Sequence, residues 1–227
     1  PFSILFRGCG FLIMYEAGVL AALKEMLPDI LKSAPKIYGA SSGSIIATLA
    51  LCDHDFGKGY ILPFILHLKR SNAFLSALRS SFLSIFPGRT LFKILKDTLN
   101  KYLPTNVHQQ VSGKLHVIVT RVHDWRSVVV SDFTSKEDLI QAILCSCFVP
   151  LYIGLLPPTY HGVRYVDGEL GMWRANFMTQ SMITVSAFAG EYDICPKDSP
   201  VPFFTFQISD CILHISKRNM CRFLYIL

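Results

Sequence analysis

Gly39-Ala40-Ser41-Ser42-Gly43 is the most informative stretch of this sequence. It has the Gly-x-Ser-x-Gly pattern of a nucleophile elbow, a sharp turn between a strand and a helix that exposes a serine hydroxyl. Residues 36–38 before it resemble the end of a strand, and small apolar residues typical of a helix follow from Ser42 to Cys52. Glycines at both ends suit the close backbone approaches of such a turn. The pattern alone leaves a catalytic elbow and a purely structural turn equally open.

The composition fits one apolar α/β domain. The chain has 227 residues, of which 51% are hydrophobic and 17% charged, a balance that suits a protein working at a lipid surface or cut from a longer chain. The net charge of +6 is spread without the dense basic run typical of nucleic-acid binding, so we expect no nucleic-acid partner. Seven cysteines without a C-x-x-C pair indicate buried thiols rather than disulfides or a metal site. We expect one domain over residues 1–227, truncated at both ends.

Apolar runs along the chain predict alternating strands and helices. The uncharged stretch 139–160 is long enough to span a membrane, but its prolines favour a buried helix followed by a loop or strand. Residues 53–110 are expected to form several helices, and a hairpin over 160–166 is expected to deliver Asp167 and Gly168 at a strand end. The predicted strands cover residues 2–6, 36–38, 115–120, 127–131 and 182–186, and the predicted helices cover 11–27, 42–52 and 134–149.

A serine nucleophile needs a base and hydrogen-bond donors for the negative charge that develops on the ester oxygen. Ser41 is the candidate nucleophile. Gly8-Cys9-Gly10 directly follows the first strand at the start of a helix, where free N–H groups and the helix dipole favour an oxyanion. A dinucleotide-binding G-x-G-x-x-G is a poor alternative, because its third glycine would fall at Ile13.

Two different bases are compatible with the sequence. An α/β-hydrolase has the chain order Ser, Asp or Glu, His, and His214 is the only histidine after Asp167. The elbow, however, follows only two predicted strands, which is early for that fold. A Ser-Asp dyad would instead use Asp167 itself, with Gly168 allowing close approach to the elbow. Since Asp-Gly is also a favoured hairpin pair, a turn role for Asp167 stays open.

The chain resembles the patatin-like phospholipase family over nearly its whole length. The resemblance rests on Gly8-Cys9-Gly10-Phe11, on the elbow and on Asp167-Gly168. Longer stretches are similar to the animal adipose triglyceride lipase branch of that family, and two more are most similar to the omega-hydroxyceramide transacylases within the branch. The first set comprises residues 146–152, 162–168 and 193–196, and the second comprises residues 134–140 and 157–160.

The resemblance implies a three-layer α/β/α patatin-like fold with a mostly parallel central sheet and no cofactor. It implies an acyl-enzyme that passes its acyl group from a neutral lipid such as triacylglycerol to water or to a lipid hydroxyl such as that of omega-hydroxyceramide. It also implies acyl lipid substrates, a protein co-activator, and a cytoplasmic location at lipid droplets or membranes. The implied site consists of Ser41 as nucleophile, Asp167 as base, the N–H groups of Gly8, Cys9 and Gly10 as oxyanion hole, and Gly39, Gly43 and Gly168 as supporting glycines.

Three departures from the family pattern bear on catalysis. Glu169 follows Asp167-Gly168, where the family has glycine or alanine, and Arg7 stands where a small residue is usual. Residues 171–174 replace an Asn-x-Pro element. Glu169 would be strained if its φ were positive, and its charge would raise the pKa of Asp167. These departures leave open a catalytically weak lipid-binding protein that keeps the fold at a lipid droplet or membrane.

Overall fold

The computed structural model describes residues 2–52, 63–64, 66–67, 70, 88–174, 181–198, 205–208 and 211–226. The expectation of several helices over 53–110 is met from residue 88 onward, where two helices occur, and most of the remaining stretch lies outside the described residues. The strands are β1 (Ser3–Phe6), β2 (Ile37–Ala40), β3 (Leu115–Arg121), β4 (Ser127–Val130), β5 (Thr159–Tyr160), β6 (Val163–Val166), β7 (Met182–Val185), β8 (Thr205–Ile208) and β9 (Cys211–His214).

The α-helices are interspersed with these strands along the chain. Two 3₁₀ helices, Gly10–Leu12 and Gly168–Arg174, lie directly after β1 and after β6. The α-helices are α1 (Ile13–Met26), α2 (Ile30–Ser33), α3 (Ser42–Cys52), α4 (Gly88–Tyr102), α5 (Val107–Val111), α6 (Lys136–Ser146) and α7 (Lys217–Ile226). In the described part of the chain, no helix has both the length and the apolar character needed to cross a bilayer.

Most predicted elements are confirmed to within a few residues. Helix α3 has the predicted bounds, and α6 begins after Ser135, whose side chain accepts a hydrogen bond from the Asp138 N–H. The stretch 139–160 divides into the end of α6, a loop and β5, as its prolines indicate. Strands β8 and β9 and helices α2 and α7 have no counterpart among the predicted elements.

The central sheet is built on four parallel strands. Its strand order is β5-β6-β3-β2-β1-β7, with β7, β1, β2 and β3 parallel, while β4 and β6 pair with β3 in antiparallel register. The predicted α/β class with a mostly parallel sheet is thereby confirmed. In the register, Phe6 of β1 lies beside Gly39, and Ala40 lies beside Ile118 of β3, so the carboxyl ends of these strands meet at one edge.

The two faces of the sheet are covered differently. On one face, the fully buried side chains of the sheet pack against α1, α3, α4, α5 and α6 in one large core. On the other face, Leu5, Tyr38 and Ile118 pack against Met172 of the second 3₁₀ helix. The sheet thus lies between a layer of α-helices and a layer that, in the described residues, consists of 3₁₀ helix.

The turn between β2 and α3 depends on close backbone contact. A Cβ atom on Gly43 would lie 2.2 Å from the carbonyl oxygen of Phe6, and one on Gly39 would lie 2.5 Å from the Cα of Ser44. Neither position has room for a side chain. Between them, Ser41 has a φ of 53°, a left-handed conformation that is unusual for a residue other than glycine. The local structure is therefore the sharp strand-to-helix turn that the pentapeptide predicts.

We expect Gly43→Ala to lower the free energy of unfolding by at least about 2 kcal/mol, because its new methyl group would overlap the Phe6 carbonyl. Gly18→Ala is the matched control. Gly18 lies inside α1 with no atom within 4 Å of its Cβ position, so alanine there should stabilise the protein by roughly 1 kcal/mol. Urea unfolding followed by circular dichroism measures both, and equal stabilities for the two variants would contradict the tight turn.

Candidate active site

Ser41 and Asp167 are in direct contact at the carboxyl edge of the sheet. The Ser41 hydroxyl donates a hydrogen bond of 2.6 Å to Oδ2 of Asp167. Ser41 directly follows β2 and Asp167 directly follows β6, so the fold brings together two residues that are far apart in sequence. Both side chains are buried, with Asp167 3% exposed. The arrangement is that of a hydroxyl beside an acceptor able to take its proton.

The Asp167 carboxylate is held in place from several directions. The backbone N–H of Asp167 donates to the carbonyl of Phe148 at 2.8 Å, and the backbone carbonyl of Asp167 accepts from the Thr120 hydroxyl at 2.7 Å. The N–H of Glu169 donates to Oδ1 at 2.9 Å, which leaves Oδ2 for Ser41. The following Gly168 lies so close to β3 that a Cβ would sit 2.2 Å from the Ile118 carbonyl. These contacts fix the carboxylate against the elbow.

Burial controls the protonation of Asp167. Desolvation raises the pKa of this carboxyl group from 3.8 to about 7, against the lowering effects of its hydrogen bonds from Ser41 and Glu169. The charge of Glu169 also raises the pKa, as the sequence indicated, but it is the smallest of these effects. Glu169 is not among the residues with positive φ, so the backbone strain considered for it does not occur. Near neutral pH, Asp167 can both accept and release a proton.

Sequence reasoning missed the role of Ser146 in positioning the elbow. The Ser41 N–H donates to the Ser146 hydroxyl at 2.8 Å, and that hydroxyl donates to the Ile118 carbonyl at 2.6 Å. Ser146 is fully buried at the end of α6. The sequence signal that could have indicated this role is the single hydroxyl side chain between Cys145 and Cys147 in an otherwise apolar stretch of helix. Since the Phe148 carbonyl accepts the Asp167 N–H, the end of α6 and the residues directly after it support both halves of the pair.

The glycine segment after β1 lies beside Ser41, and two of its N–H groups already have partners. The Gly8 N–H donates to Oε1 of Glu169 at 2.6 Å, and the Cys9 N–H donates to the Ser42 hydroxyl at 2.9 Å. Gly10, with a φ of 52°, turns the chain into the first 3₁₀ helix. Gly8 therefore faces an anionic oxygen. The oxyanion-hole role of the three residues stays a prediction.

The alternative base, His214, makes a different contact. Its Nε2 lies 3.3 Å from Oε1 of Glu191, and both side chains are partly exposed. The hydroxyl of Ser41 donates to a carboxylate instead. Within the ranges that the structure describes, no group of three or more His, Cys, Asp or Glu side chains is arranged to hold a metal ion.

Comparison with known proteins relates this chain to one family. Residues 4–177 match the family model described as patatin-like phospholipase. Omega-hydroxyceramide transacylase of Homo sapiens is 42% identical over 98% of this chain and 40% of its own length. Patatin-like phospholipase domain-containing protein 2 of Homo sapiens is 38% identical over 97% of this chain and 42% of its own length. The chain thus spans less than half the length of these two relatives.

A solved structure is also similar to this chain. VipD from Legionella pneumophila aligns with a TM-score of 0.42 and 16% sequence identity, covering 84% of this chain and 51% of that one.

We expect Asp167→Asn to become more stable relative to the wild type as pH rises. The pKa of Asp167 is higher in the folded protein than its ordinary value, so the folded state binds the extra proton between pH 4 and 7. Wild-type stability should therefore fall by up to roughly 1.4 kcal/mol per pH unit over that range, and the asparagine variant should lack this loss. Urea unfolding of both proteins from pH 5 to 8 measures the difference; a difference independent of pH would contradict the raised pKa.

Proposed function

This chain belongs to the patatin-like phospholipase family, and on that premise we propose that it is an acyl-transferring serine hydrolase of lipid metabolism that uses a Ser41–Asp167 dyad. The observation that carries the proposal is the 2.6 Å hydrogen bond from the Ser41 hydroxyl to a buried carboxylate. The names of similar proteins support the reaction class, since they include a transacylase and an O-acyltransferase. Because these names describe different activities, they support acyl transfer as the reaction class and do not favour one substrate.

The first half of the reaction forms an acyl-enzyme. The Ser41 oxygen bonds to the ester carbonyl carbon while its proton passes to Oδ2 of Asp167. The carbonyl oxygen becomes an oxyanion, and the Gly8 N–H, which faces an anionic oxygen in this structure, is the donor best placed for it. When the bond to the leaving alcohol breaks, Asp167 returns the proton to that alcohol. A pKa of about 7 suits a group that must take up and release a proton in turn.

The second half of the reaction passes the acyl group to an acceptor. An acceptor hydroxyl gives its proton to Asp167 as its oxygen bonds to the acyl carbon, and the bond from that carbon to Ser41 then breaks. Ser41 takes back the proton, so the dyad ends as it began. With water as acceptor the protein is a lipase. With a lipid hydroxyl such as that of omega-hydroxyceramide it is a transacylase, as the name of one relative states for that protein.

An exposed apolar loop supports acyl lipids as substrates and a lipid surface as the place of reaction. Leu151, Leu155 and Leu156 are between 67% and 77% exposed, in the loop between α6 and β5. This loop begins next to Phe148, whose carbonyl accepts a hydrogen bond from Asp167. Insertion of these leucines into a droplet or membrane would bury them beside the reactive pair. A cytoplasmic location at lipid droplets or membranes is part of the proposal, and the co-activator stays a prediction.

A weakly catalytic lipid-binding protein is the second candidate, and one observation favours it. The carboxylate of Glu169 bonds to the Gly8 N–H, the donor that the oxyanion would use. Turnover at an ordinary enzyme rate would exclude this candidate.

We expect a fluorophosphonate probe to label Ser41, and the rate of labelling to rise about tenfold between pH 6 and 8 as Asp167 ionises with its pKa of about 7. Ser41→Ala should abolish labelling, and Asp167→Asn should slow it at least about a hundredfold. Mass spectrometry identifies the labelled residue. Ser33→Ala and Asp29→Asn, both at exposed positions of the same residue types, serve as controls. A folded wild type that is never labelled would contradict the dyad.

We expect Leu155→Ser with Leu156→Ser to slow hydrolysis of emulsified triacylglycerol by about tenfold or more, because two exposed leucines no longer enter the lipid. Hydrolysis of a soluble short-chain ester should be unchanged. Leu27→Ser, which removes a half-exposed leucine after α1, is the control. An equal loss on both substrates would indicate damage to the site instead of lost surface binding. Adding omega-hydroxyceramide to the emulsion and separating free fatty acid from acylated ceramide tells hydrolysis from transacylation.

A further inference from the structure

Glu169 lies where the proposed reaction needs an empty oxyanion site. Its Oε1 accepts the Gly8 N–H at 2.6 Å, and its Oε2 accepts from Nη2 of Arg7 at 2.7 Å. Both donors belong to the segment that directly follows β1. A carboxylate oxygen and a tetrahedral oxyanion carry the same charge and accept the same hydrogen bonds, so they compete for these donors.

The side chain of Glu169 also lies against the nucleophile. A Cβ atom built on Gly8 would be 2.5 Å from Cγ of Glu169 and 2.8 Å from Cβ of Ser41, so both side chains flank the same side of Gly8. The backbone N–H of Glu169 is bonded to Asp167 as well. While the carboxylate is in this position, an ester oxygen cannot reach the Gly8 N–H.

The ion pair with Arg7 is asymmetric in its exposure. The Arg7 side chain is 5% exposed, whereas that of Glu169 is 25% exposed. A nearby negative charge stabilises a buried guanidinium, and this favours the position of the carboxylate in the site. Arg7 also lies over the ring of Tyr192, with 5.2 Å from the guanidinium carbon to the ring centroid, so it has a second contact that does not depend on Glu169. Glu169 can turn outward into solvent while Arg7 stays.

We propose that Glu169 is an internal competitor that occupies the oxyanion site through Arg7 and Gly8 and that an ester must displace before Ser41 reacts. The inference rests on the proposed function of Ser41 and Asp167. Once the carboxylate leaves, the Arg7 guanidinium and the Gly8 N–H face the developing oxyanion together. The contact between Arg7 and Glu169 thus suppresses the reaction in the resting protein. Once Glu169 has moved away, the Arg7 guanidinium supplies positive charge to the oxyanion.

The test compares Glu169→Ala with the wild type in the rate of inactivation by a fluorophosphonate. In that reaction Ser41 bonds to phosphorus, fluoride leaves, and the serine proton passes to Asp167, while the phosphoryl oxygen needs the Gly8 donor. We expect Glu169→Ala to react at least tenfold faster. Sodium acetate, which returns a carboxylate to the vacated donors, should slow this variant more than it slows the wild type, with sodium chloride at equal ionic strength as reference.

Controls separate this inference from the proposed function. Glu25→Ala makes the same substitution at an exposed position of α1 and should react like the wild type. If Glu169→Ala does not fold, Glu169→Gln keeps the side-chain volume without the charge and should still react faster than the wild type. A folded Glu169 variant that reacts no faster, or an equal effect of acetate on variant and wild type, overturns the internal competitor while labelling of Ser41 still supports the dyad. Absence of labelling in folded wild type and variants overturns both.

Discussion

The contact between the first turn of α3 and the end of β1 determines the geometry of the whole site. Because Gly43 has no side chain, the helix backbone rests against the Phe6 carbonyl, and the chain leaving β1 must pass directly beside Ser41. Gly8 lies beside the nucleophile for that reason. Two residues before this contact, Ser41 has a left-handed conformation and donates its hydroxyl to Asp167. Any larger residue at position 43 would separate the donor, the nucleophile and the base together.

The second requirement of the site is a carboxylate that is removed from solvent. Asp167 is almost completely buried, and burial is what brings its pKa near neutrality. A solvated aspartate would be ionised throughout the physiological range and would be a weak base. Keeping this carboxylate in the interior destabilises the fold above pH 4, and the hydrogen bonds from Ser41 and Glu169 offset part of that cost. Strain and desolvation at this one edge of the sheet are tolerated because the core on the helical face is extensive.

Much of the fold could be predicted from the sequence, because its signals are local. The elbow and α3 follow from five residues and the small apolar run after them, and the parallel strands follow from short buried runs. The pairing of Ser41 with Asp167 is one of two alternatives that the residues alone leave open, and the family resemblance favours it, because no local pattern links the two positions. The contacts of Ser146 and Glu169 could not be predicted from the sequence. Each joins a backbone N–H to a side chain more than a hundred residues away, and no periodicity encodes such a pair.

The neutral pKa of Asp167 has a consequence at a charged interface. An anionic membrane surface at about −30 mV concentrates protons roughly threefold, so the local pH lies about half a unit below that of the bulk solution. A group with an ordinary aspartate pKa would be indifferent to this change, but Asp167 is in the middle of its titration. Under the proposed function, the charge of the lipid surface itself would set the fraction of molecules ready to react, so that lipid composition tunes the rate without any contact to the site.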